Sequence, residues 1–375
     1  MDLGTISDEV AQHTLNSALL SSEVRLSDQP EVIQEAIKRS SIKLTPKQLD
    51  TAFKCWNSTV CKLGDGPVTI GMPDWDATIQ WHKLNKMSMI LQAMTYPSVG
   101  KLMFTDGQNE MAKYQADIRS LASRGAHVIV ELNSFGKSTY PANRFAQKLG
   151  AKVVTYISPQ PDAPSDTITS QIHLDSCAMG KAMARIADQK LRLTRRTAIF
   201  NGVPGNPLGV EWNRCYEQAV KKSRVGVKLD TGWTPAGTFS AASAVVSSGK
   251  NYSAILFDYA DPVPQVVDAF DKAAIRVPAI ITWTDNNGLA KIWEKKQGTP
   301  GAFPLWYTTS HMWSSRASVT IGMASLAGHV PAEILSPAPF VQAKRGLYEA
   351  DRPDDYPGSD VMIPDELLSR MLKTG

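Results

Sequence analysis

The stretch Val68-Thr69-Ile70-Gly71-Met72-Pro73-Asp74-Trp75-Asp76-Ala77-Thr78-Ile79-Gln80-Trp81 decides how this chain folds. It follows the turn signal Gly64-Asp65-Gly66-Pro67 and opens on a β-rich run. The run breaks at Gly71-Met72-Pro73, exposes Asp74-Trp75-Asp76 and passes into a helical pattern. Strand, short polar-aromatic loop and helix make the first βα step of a parallel sheet. Loops at the carboxyl ends of such strands are where these sheets bind ligands. An acid beside a tryptophan there suits a polyhydroxylated ring: the carboxylate accepts from hydroxyls while the indole covers a C–H face.

Downstream, the same grammar repeats every ~25–30 residues, the spacing of βαβ units. Strands are expected at 101–105, 127–130 and 152–156, with helices between them carrying Met87, Ile90, Leu91 and Met94, then Ile118 and Leu121, then 142–149. A Pro/Asp/Ser-rich break at 158–165 precedes an extended run at 167–173 and a helix at 176–191. The series then begins again with strands at 197–200, 226–229, 254–257 and 279–282. Two similar α/β lobes, each with its strand ends facing the other, are the simplest reading. The run 305–309 leads into a helix at 314–327, closed by Gly328-His329-Val330-Pro331, and a last helix signal stands at 365–372. Upstream of Val68, Pro30 and Pro46 follow capping residues and start short helices, so residues 1–66 read as a helical extension.

The 375 residues suffice for about two domains. With 43% hydrophobic and 20% charged residues, the composition is that of an ordinary soluble protein. No window approaches the ~18–20 apolar residues of a membrane span. The start Met1-Asp2-Leu3-Gly4 lacks the n-region and apolar core of a signal peptide, as a cytoplasmic chain or a mature exported chain would. The net charge of +4 is mild, and the runs Leu193-Thr194-Arg195-Arg196 and Lys221-Lys222-Ser223-Arg224 are short. Without a concentrated basic face, no nucleic-acid partner is expected.

Of the four cysteines, Cys177 and Cys215 fall in helical patterns and read as small buried hydrophobes. Cys55 and Cys61 stand in the polar segment CWNSTVC, where a spacing of six can close a disulfide loop. Zinc would need a second ligand pair, and no CxxC or HxxxH lies nearby. The disulfide is the preferred reading, and it implies an oxidising compartment.

The strand-end loops carry Asp74 and Trp75; Asp106 and Asn109; Asn133 and Ser134; Asn206 and Trp212; Trp233 and Phe239; Asp258 and Tyr259; Trp283, Asp285 and Asn286; and Ser310 and His311. Nine tryptophans is a high count, and several in such loops, interleaved with Asp and Asn, point to a cleft for a small polar ring. Trp293, inside a helix, reads as core, and Trp81 as packing. Asp106 and Asn206 also suit helix N-caps, and Asp175 suits a brace at the crossing between lobes.

From Val68 to Gln342 the chain resembles the type I periplasmic solute-binding proteins of ABC importers, the ribose-binding-protein-like sugar binders. The matching stretches are Asp106-Gly107-Gln108-Asn109, Ile172-His173-Leu174-Asp175-Ser176 with Gly180-Lys181, Asn201-Gly202-Val203-Pro204-Gly205-Asn206 with Cys215-Tyr216-Glu217-Gln218-Ala219, and Ala269-Phe270-Asp271-Lys272-Ala273. Their order and spacing carry the resemblance, and the Cys-Trp-x-x-x-x-Cys segment looks like one branch of these binders. The resemblance implies two parallel-sheet lobes joined by a three-stranded hinge that closes on ligand. The lobes then comprise residues 67–173 plus 310–332 and 174–309 plus 333–375. It implies Asp74 and Trp75 as contacts, Trp212 where ribose-type binders carry an arginine, and Tyr259 where they carry an asparagine. Asp285 falls near their sugar-binding aspartate, and Ser310 or His311 near their glutamine. The Asp-Arg pair usual after the fourth strand is Ile157-Ser158 here, a departure from ribose-like anchoring.

The expected ligand set is therefore Asp74, Trp75, Asn133, Asn206, Trp212, Trp233, Phe239, Tyr259, Trp283, Asp285, Ser310 and His311. Chemistry is not expected. The loop 202–206 lacks the lysine and Ser/Thr of a phosphate cradle, the histidines His82, His127, His173, His311 and His329 lack paired metal spacing, and no GxSxG elbow exists. Neither cofactor nor metal is called for. Three functions suit the resemblance: a periplasmic or otherwise extracytoplasmic binder, monomeric, delivering a sugar or polyol to an ABC permease; a ligand-presenting sensor; and a cytoplasmic regulator. The last would carry a helix-turn-helix before the first strand, where CWNSTVC stands instead.

Overall fold

A computed structural model describes residues 3–190, 196–220, 224–328, 330–358 and 361–373. The basic segments at 193–195 and 221–223, Leu191 and His329 lie outside the described residues. The chain opens with helices α1 (Asp8–Leu19), α2 (Glu31–Ser40) and α3 (Pro46–Trp56). Ser7 caps α1 by accepting from the Val10 N–H, and Thr45 forms a capping box with Gln48 ahead of Pro46 at the start of α3. There follow β1 (Val60–Lys62), β2 (Val68–Asp74), α4 (Gln80–Ala93), β3 (Val99–Asp106), α5 (Met111–Ser123), β4 (Val128–Glu131), α6 (Tyr140–Lys148), β5 (Lys152–Ile157) and β6 (Ser170–Leu174). The second series is α7 (Ser176–Arg185), β7 (Arg196–Asn201), α8 (Pro207–Ala219), β8 (Val225–Asp230), α9 (Pro235–Ser247), β9 (Tyr252–Phe257), α10 (Val263–Lys272), β10 (Ala279–Thr282), α11 (Asn287–Lys296) and β11 (Leu305–Tyr307). The chain ends with α12 (Met312–Ala327), β12 (Glu333–Ser336), β13 (Val341–Gln342) and α13 (Asp365–Leu372). The expected helix 176–191 ends earlier, passing at Ile186 into a π turn.

Two units result: residues 1–174, 311–337 and 360–375, and residues 175–310 with 338–359. The sheet of unit 1 runs β1-β3-β2-β4-β5-β6-β12 and that of unit 2 β13-β11-β10-β9-β7-β8. Neighbouring strands are parallel except at β1 and β13, which pair antiparallel with β3 and β11. Buried apolar runs such as Val128-Ile129-Val130 and Ala279-Ile280-Ile281 suit parallel strands covered by helices on both faces. In each unit the second parallel strand lies outside the first and the third returns to its other side. Each sheet therefore has a topological switch point, between β2 and β4 in unit 1 and between β7 and β9 in unit 2.

The boundaries depart from the sequence expectation. Residues 333–337 fall in unit 1, because β12 pairs with β6 from Glu333↔Gln171 to Ser336↔Leu174. Residues 361–373 also belong to unit 1, where α13 packs on α3 and Arg370 meets Asp50 at 2.6 Å. The described chain passes between the units at 174/175, 310/311 and 337/338, and returns to unit 1 before residue 361.

The extension is part of unit 1 as well. Helix α12 is buried almost all round, and α2 and α4 both pack on it. Gly322 lets it approach β4, since a Cβ there would sit 2.4 Å from Val128 Cγ1. Arg316, buried in this helix, donates to Gln92 Oε1 at 3.2 Å and to the Met362 carbonyl at 2.6 Å. Gln92 in turn donates to the Ala36 carbonyl at 3.0 Å, tying α2 into the same network.

Cys55 and Cys61 are bonded, their Cα atoms 5.1 Å apart. Cys177 and Cys215 are bonded too, which corrects their reading as buried hydrophobes. They join α7 to α8, whose backbones touch at Gly180: a Cβ there would lie 2.2 Å from the Trp212 carbonyl oxygen. Two helical cysteines 38 residues apart reveal no partner by spacing; helix packing makes the pair.

Candidate ligand-binding loops

In unit 1 the loops after β2 and β3 are stitched together. The Asp74 carbonyl accepts from the Gly107 N–H and the Trp75 carbonyl from the Asn109 N–H, both at 2.7 Å. Asp106 accepts from the N–H groups of Ala77 and Gln108. It braces this loop rather than capping α5, whose N-cap position is Glu110. The Asp74 carboxylate meets His82 Nδ1 at 2.6 Å, so its charge is engaged within the unit.

Trp75 stands edge-on to His82 and to Phe135, with ring centroids 5.1 and 6.2 Å away. Only 8% of its surface is exposed, yet its indole Nε1 has no hydrogen-bond partner among the described residues. Trp81 packs edge-on to the other side of His82 and is buried.

Across the switch point, β4 ends at Glu131, a fully buried carboxyl that accepts from Tyr114 Oη at 2.9 Å and Asn143 Nδ2 at 2.6 Å. Burial pushes it up to about 7, against the pull of those two donors. Asn133 donates from Nδ2 to the Gly136 carbonyl and to Gln160 Oε1, holding the β4 and β5 loops together, and its buried Oδ1 has no partner. Tyr140 Oη, Ser158 Oγ and Trp313 Nε1 are likewise buried without partners among the described residues. Such groups cost free energy unless a partner satisfies them. His311, at the N-cap position of α12 with φ 58°, is buried, and burial lowers it to about 3, so it is neutral.

In unit 2 the loop after β9 supplies the organising residue. Asp258, 1% exposed, accepts from Trp212 Nε1 on Oδ2 at 3.1 Å and from Trp233 Nε1 on Oδ1 at 2.7 Å. Burial raises it to about 6, opposed first by the Trp233 and then by the Trp212 donor. Trp212, expected as a ligand contact in the arginine position, is fully buried and its indole N–H is taken by Asp258. Trp233 is partly exposed.

Asn206 caps α8 by accepting from the Leu208 N–H. Phe239 sits in α9 beneath the Lys272 ammonium, 4.8 Å from its ring centre, so it belongs to a helix–helix contact rather than to the loops. Tyr259 donates to Asp261 Oδ2 at 2.5 Å, and Asn286 to Asp261 Oδ1 at 3.3 Å. Burial and then the neighbouring Asp285 and Asp355 push Asp261 to about 7. Trp283 follows β10 and is buried. Asp285 lines a small recess with Asn286, Tyr307, Leu347 and Gly358, beside the returning tail. Ser310 is buried at the end of this unit.

Non-glycine residues with positive φ gather in the same loops: Gln108, Asn109, Ile157, Trp233, Thr284 and His311. For β-branched Ile157 and Thr284 this is a costly conformation, of the kind retained where geometry serves binding. Glu131, Phe135, Tyr140 and Trp313 were missed by sequence reading, and Asp258 was passed over for its neighbour Tyr259. The strand-end rule does bring up Asp258, the first residue after β9, but the expected ligand set leaves it out.

A family model described as a periplasmic binding protein domain matches residues 75–301. No curated protein matches the chain. Among solved structures, the arabinose-binding component of an ABC transporter from Shewanella sp. ANA-3, bound to L-arabinofuranose, is 13% identical over 73% of this chain and 92% of its own, with a TM-score of 0.64. An ABC transporter solute-binding protein from Bacillus halodurans with bound myo-inositol is 14% identical over 74% and 96%, with a TM-score of 0.65. The fructose-binding periplasmic domain of a hybrid two-component system is 15% identical over 73% and 90%, with a TM-score of 0.63. The paired switch-point sheets and the extent of the family match together identify the chain as a member of the periplasmic binding protein domain family, with the type I fold and a binding rather than catalytic role.

Proposed function

We propose that this protein captures a small polar solute, a sugar or polyol, outside the cytoplasm and delivers it to the permease of an ABC importer. The observation that carries this reading is the unpartnered Nε1 of buried Trp75, at the switch point of unit 1 and in the same unit as the unpartnered atoms of Asn133 and Tyr140. An indole N–H and an amide oxygen suit hydroxyl groups, while the ring edges and faces suit C–H surfaces. The structural relatives that bind arabinofuranose and myo-inositol support the same solute class. A monomer needs no second copy to complete these loops.

Of the expected contacts, Trp75, Asn133, Trp233, Trp283, Asp285, Ser310 and His311 remain proposed as ligand-facing; Asp74, Asn206, Trp212, Phe239 and Tyr259 are read as support. Calorimetry of the full chain with L-arabinose, myo-inositol and D-fructose tests the reading. Trp75→Ala and Asp285→Ala should each weaken binding of whichever solute binds by about 1–3 kcal/mol. Binding unaffected by both changes would remove the assignment. A second reading, a ligand-presenting sensor, is favoured by the similarity to the fructose-binding domain of a two-component system. Stimulation of a permease's ATPase activity in proteoliposomes would separate the two.

A further inference from the structure

Asp258 stands apart from the other strand-end acids because both of its oxygens are engaged by indoles. Trp212 reaches it from α8 at 3.1 Å, and Trp233 from the β8–α9 loop at 2.7 Å. The third contact is geometric: the Trp233 ring lies against Gly202, where a Cβ would stand 1.7 Å from Cε2. Trp233 itself has φ 57°, so its backbone holds a conformation that a non-glycine residue adopts only under constraint. Ring, backbone and carboxylate thus fix one orientation of one partly exposed indole.

We propose that Asp258 is a positioning residue for ligand binding: by accepting both indole N–H groups it sets the Trp233 ring and leaves that ring only its π face to offer. Trp212 is the buried half of the clamp, and Trp233 the half that meets solute. The inference rests on the sugar- or polyol-binding reading above for its consequence, but the clamp has its own signature. Among the described residues the groups acting on Asp258 are the Trp233 and Trp212 indoles, its own backbone and the Gly202 backbone, with no charged side chain among them. Its buried carboxyl, raised to about 6, protonates as the solution is acidified through that value. Protonation converts one acceptor oxygen into a donor and frees one indole.

The test uses the full chain, wild type and Asp258→Asn, with Trp233→Phe as the second variant. In ligand-free protein, near-ultraviolet circular dichroism should show an indole transition near pH 6 that Asp258→Asn lacks and Trp233→Phe diminishes. Far-ultraviolet spectra should remain native in all three. With L-arabinose, myo-inositol and D-fructose as probes, wild-type affinity should drop about two- to four-fold from pH 7.5 to 5.5, the most that one carboxyl titrating near 6 allows, and Asp258→Asn should be weak and flat over that range. The two substitutions should be non-additive in a double-mutant cycle. An Asp258→Asn protein that keeps the wild-type indole signal and its pH response overturns the proposal, as does full additivity. If none of the three solutes binds, the solute reading fails, while the ligand-free indole signal still decides the clamp.

Discussion

At the end of β2 the indole of Trp75 keeps an unpartnered N–H, whereas at the end of β9 Asp258 takes the N–H of both Trp212 and Trp233. The first five parallel strands of both sheets run in the same order, and both place aromatic rings beside the same kind of switch point. Their chemistry differs because of which acid stands nearby. In unit 1 the acid that ends β2, Asp74, is held by His82, and the Trp75 indole N–H beside it has no partner among the described residues. In unit 2 Asp258 accepts from the two indoles instead. Trp75 therefore keeps an indole N–H to donate, whereas the Trp233 N–H is spent on Asp258. Shared topology locates a site, but side-chain pairing decides what each half can recognise.

The largest expected effect separates the units by their covalent links. The Cys177–Cys215 bond closes a 38-residue separation in unit 2, and Cys55–Cys61 only six in the extension of unit 1. Loop-closure entropy gives about 4 kcal/mol for the first and about 2 kcal/mol for the second. In urea denaturation, the Cys177→Ala/Cys215→Ala protein should unfold at markedly lower denaturant than Cys55→Ala/Cys61→Ala. Equal shifts would show that the short loop constrains the extension more than its length implies.

Next in size is the response to pH. Glu131 in unit 1, at about 7, and Asp258 and Asp261 in unit 2, at about 6 and 7, are all raised by burial. Their folded forms hold protons that the unfolded chain has released. They therefore contribute stability that is full below the ordinary carboxyl range and lost as pH rises towards 7. His311, lowered to about 3, acts in the opposite sense, since below about 6.5 the unfolded chain gains a proton that the buried imidazole refuses. Three groups outweigh one, so the melting temperature should fall between pH 5 and pH 7.5, measured by calorimetry. Glu131→Gln should recover about 2 kcal/mol at pH 8, a share consistent with a shift of this size. A melting temperature that climbs steadily from pH 5 to 7.5 would refute the burial argument.

The smallest effect bears most directly on the contrast. Trp75→Phe keeps a ring and deletes the free N–H, and should weaken solute binding by about 1 kcal/mol without moving the ligand-free spectrum. Trp233→Phe should instead alter that spectrum, because it leaves an Asp258 oxygen without its indole. If both variants behave alike, the two units do not divide the work of donation and stacking.

Much of the architecture was legible in the sequence. The repeated alternation of β-branched runs with helical periods located the described parallel strands other than β12, and Pro30 and Pro46 marked two helix starts. Those features are local: period, propensity and capping act within a few residues. The departures have longer range. β12 joined unit 1 because its backbone found β6, and Cys177 found Cys215 through helix packing. Trp212 and Phe239 looked like contacts from their loops, yet one is sealed against Asp258 and the other lies under Lys272. By itself, the sequence determined two α/β units with aromatic, acidic strand ends. Only tertiary structure decided which carboxylate took which indole, because that choice depends on side chains from three separate segments converging on one buried atom pair.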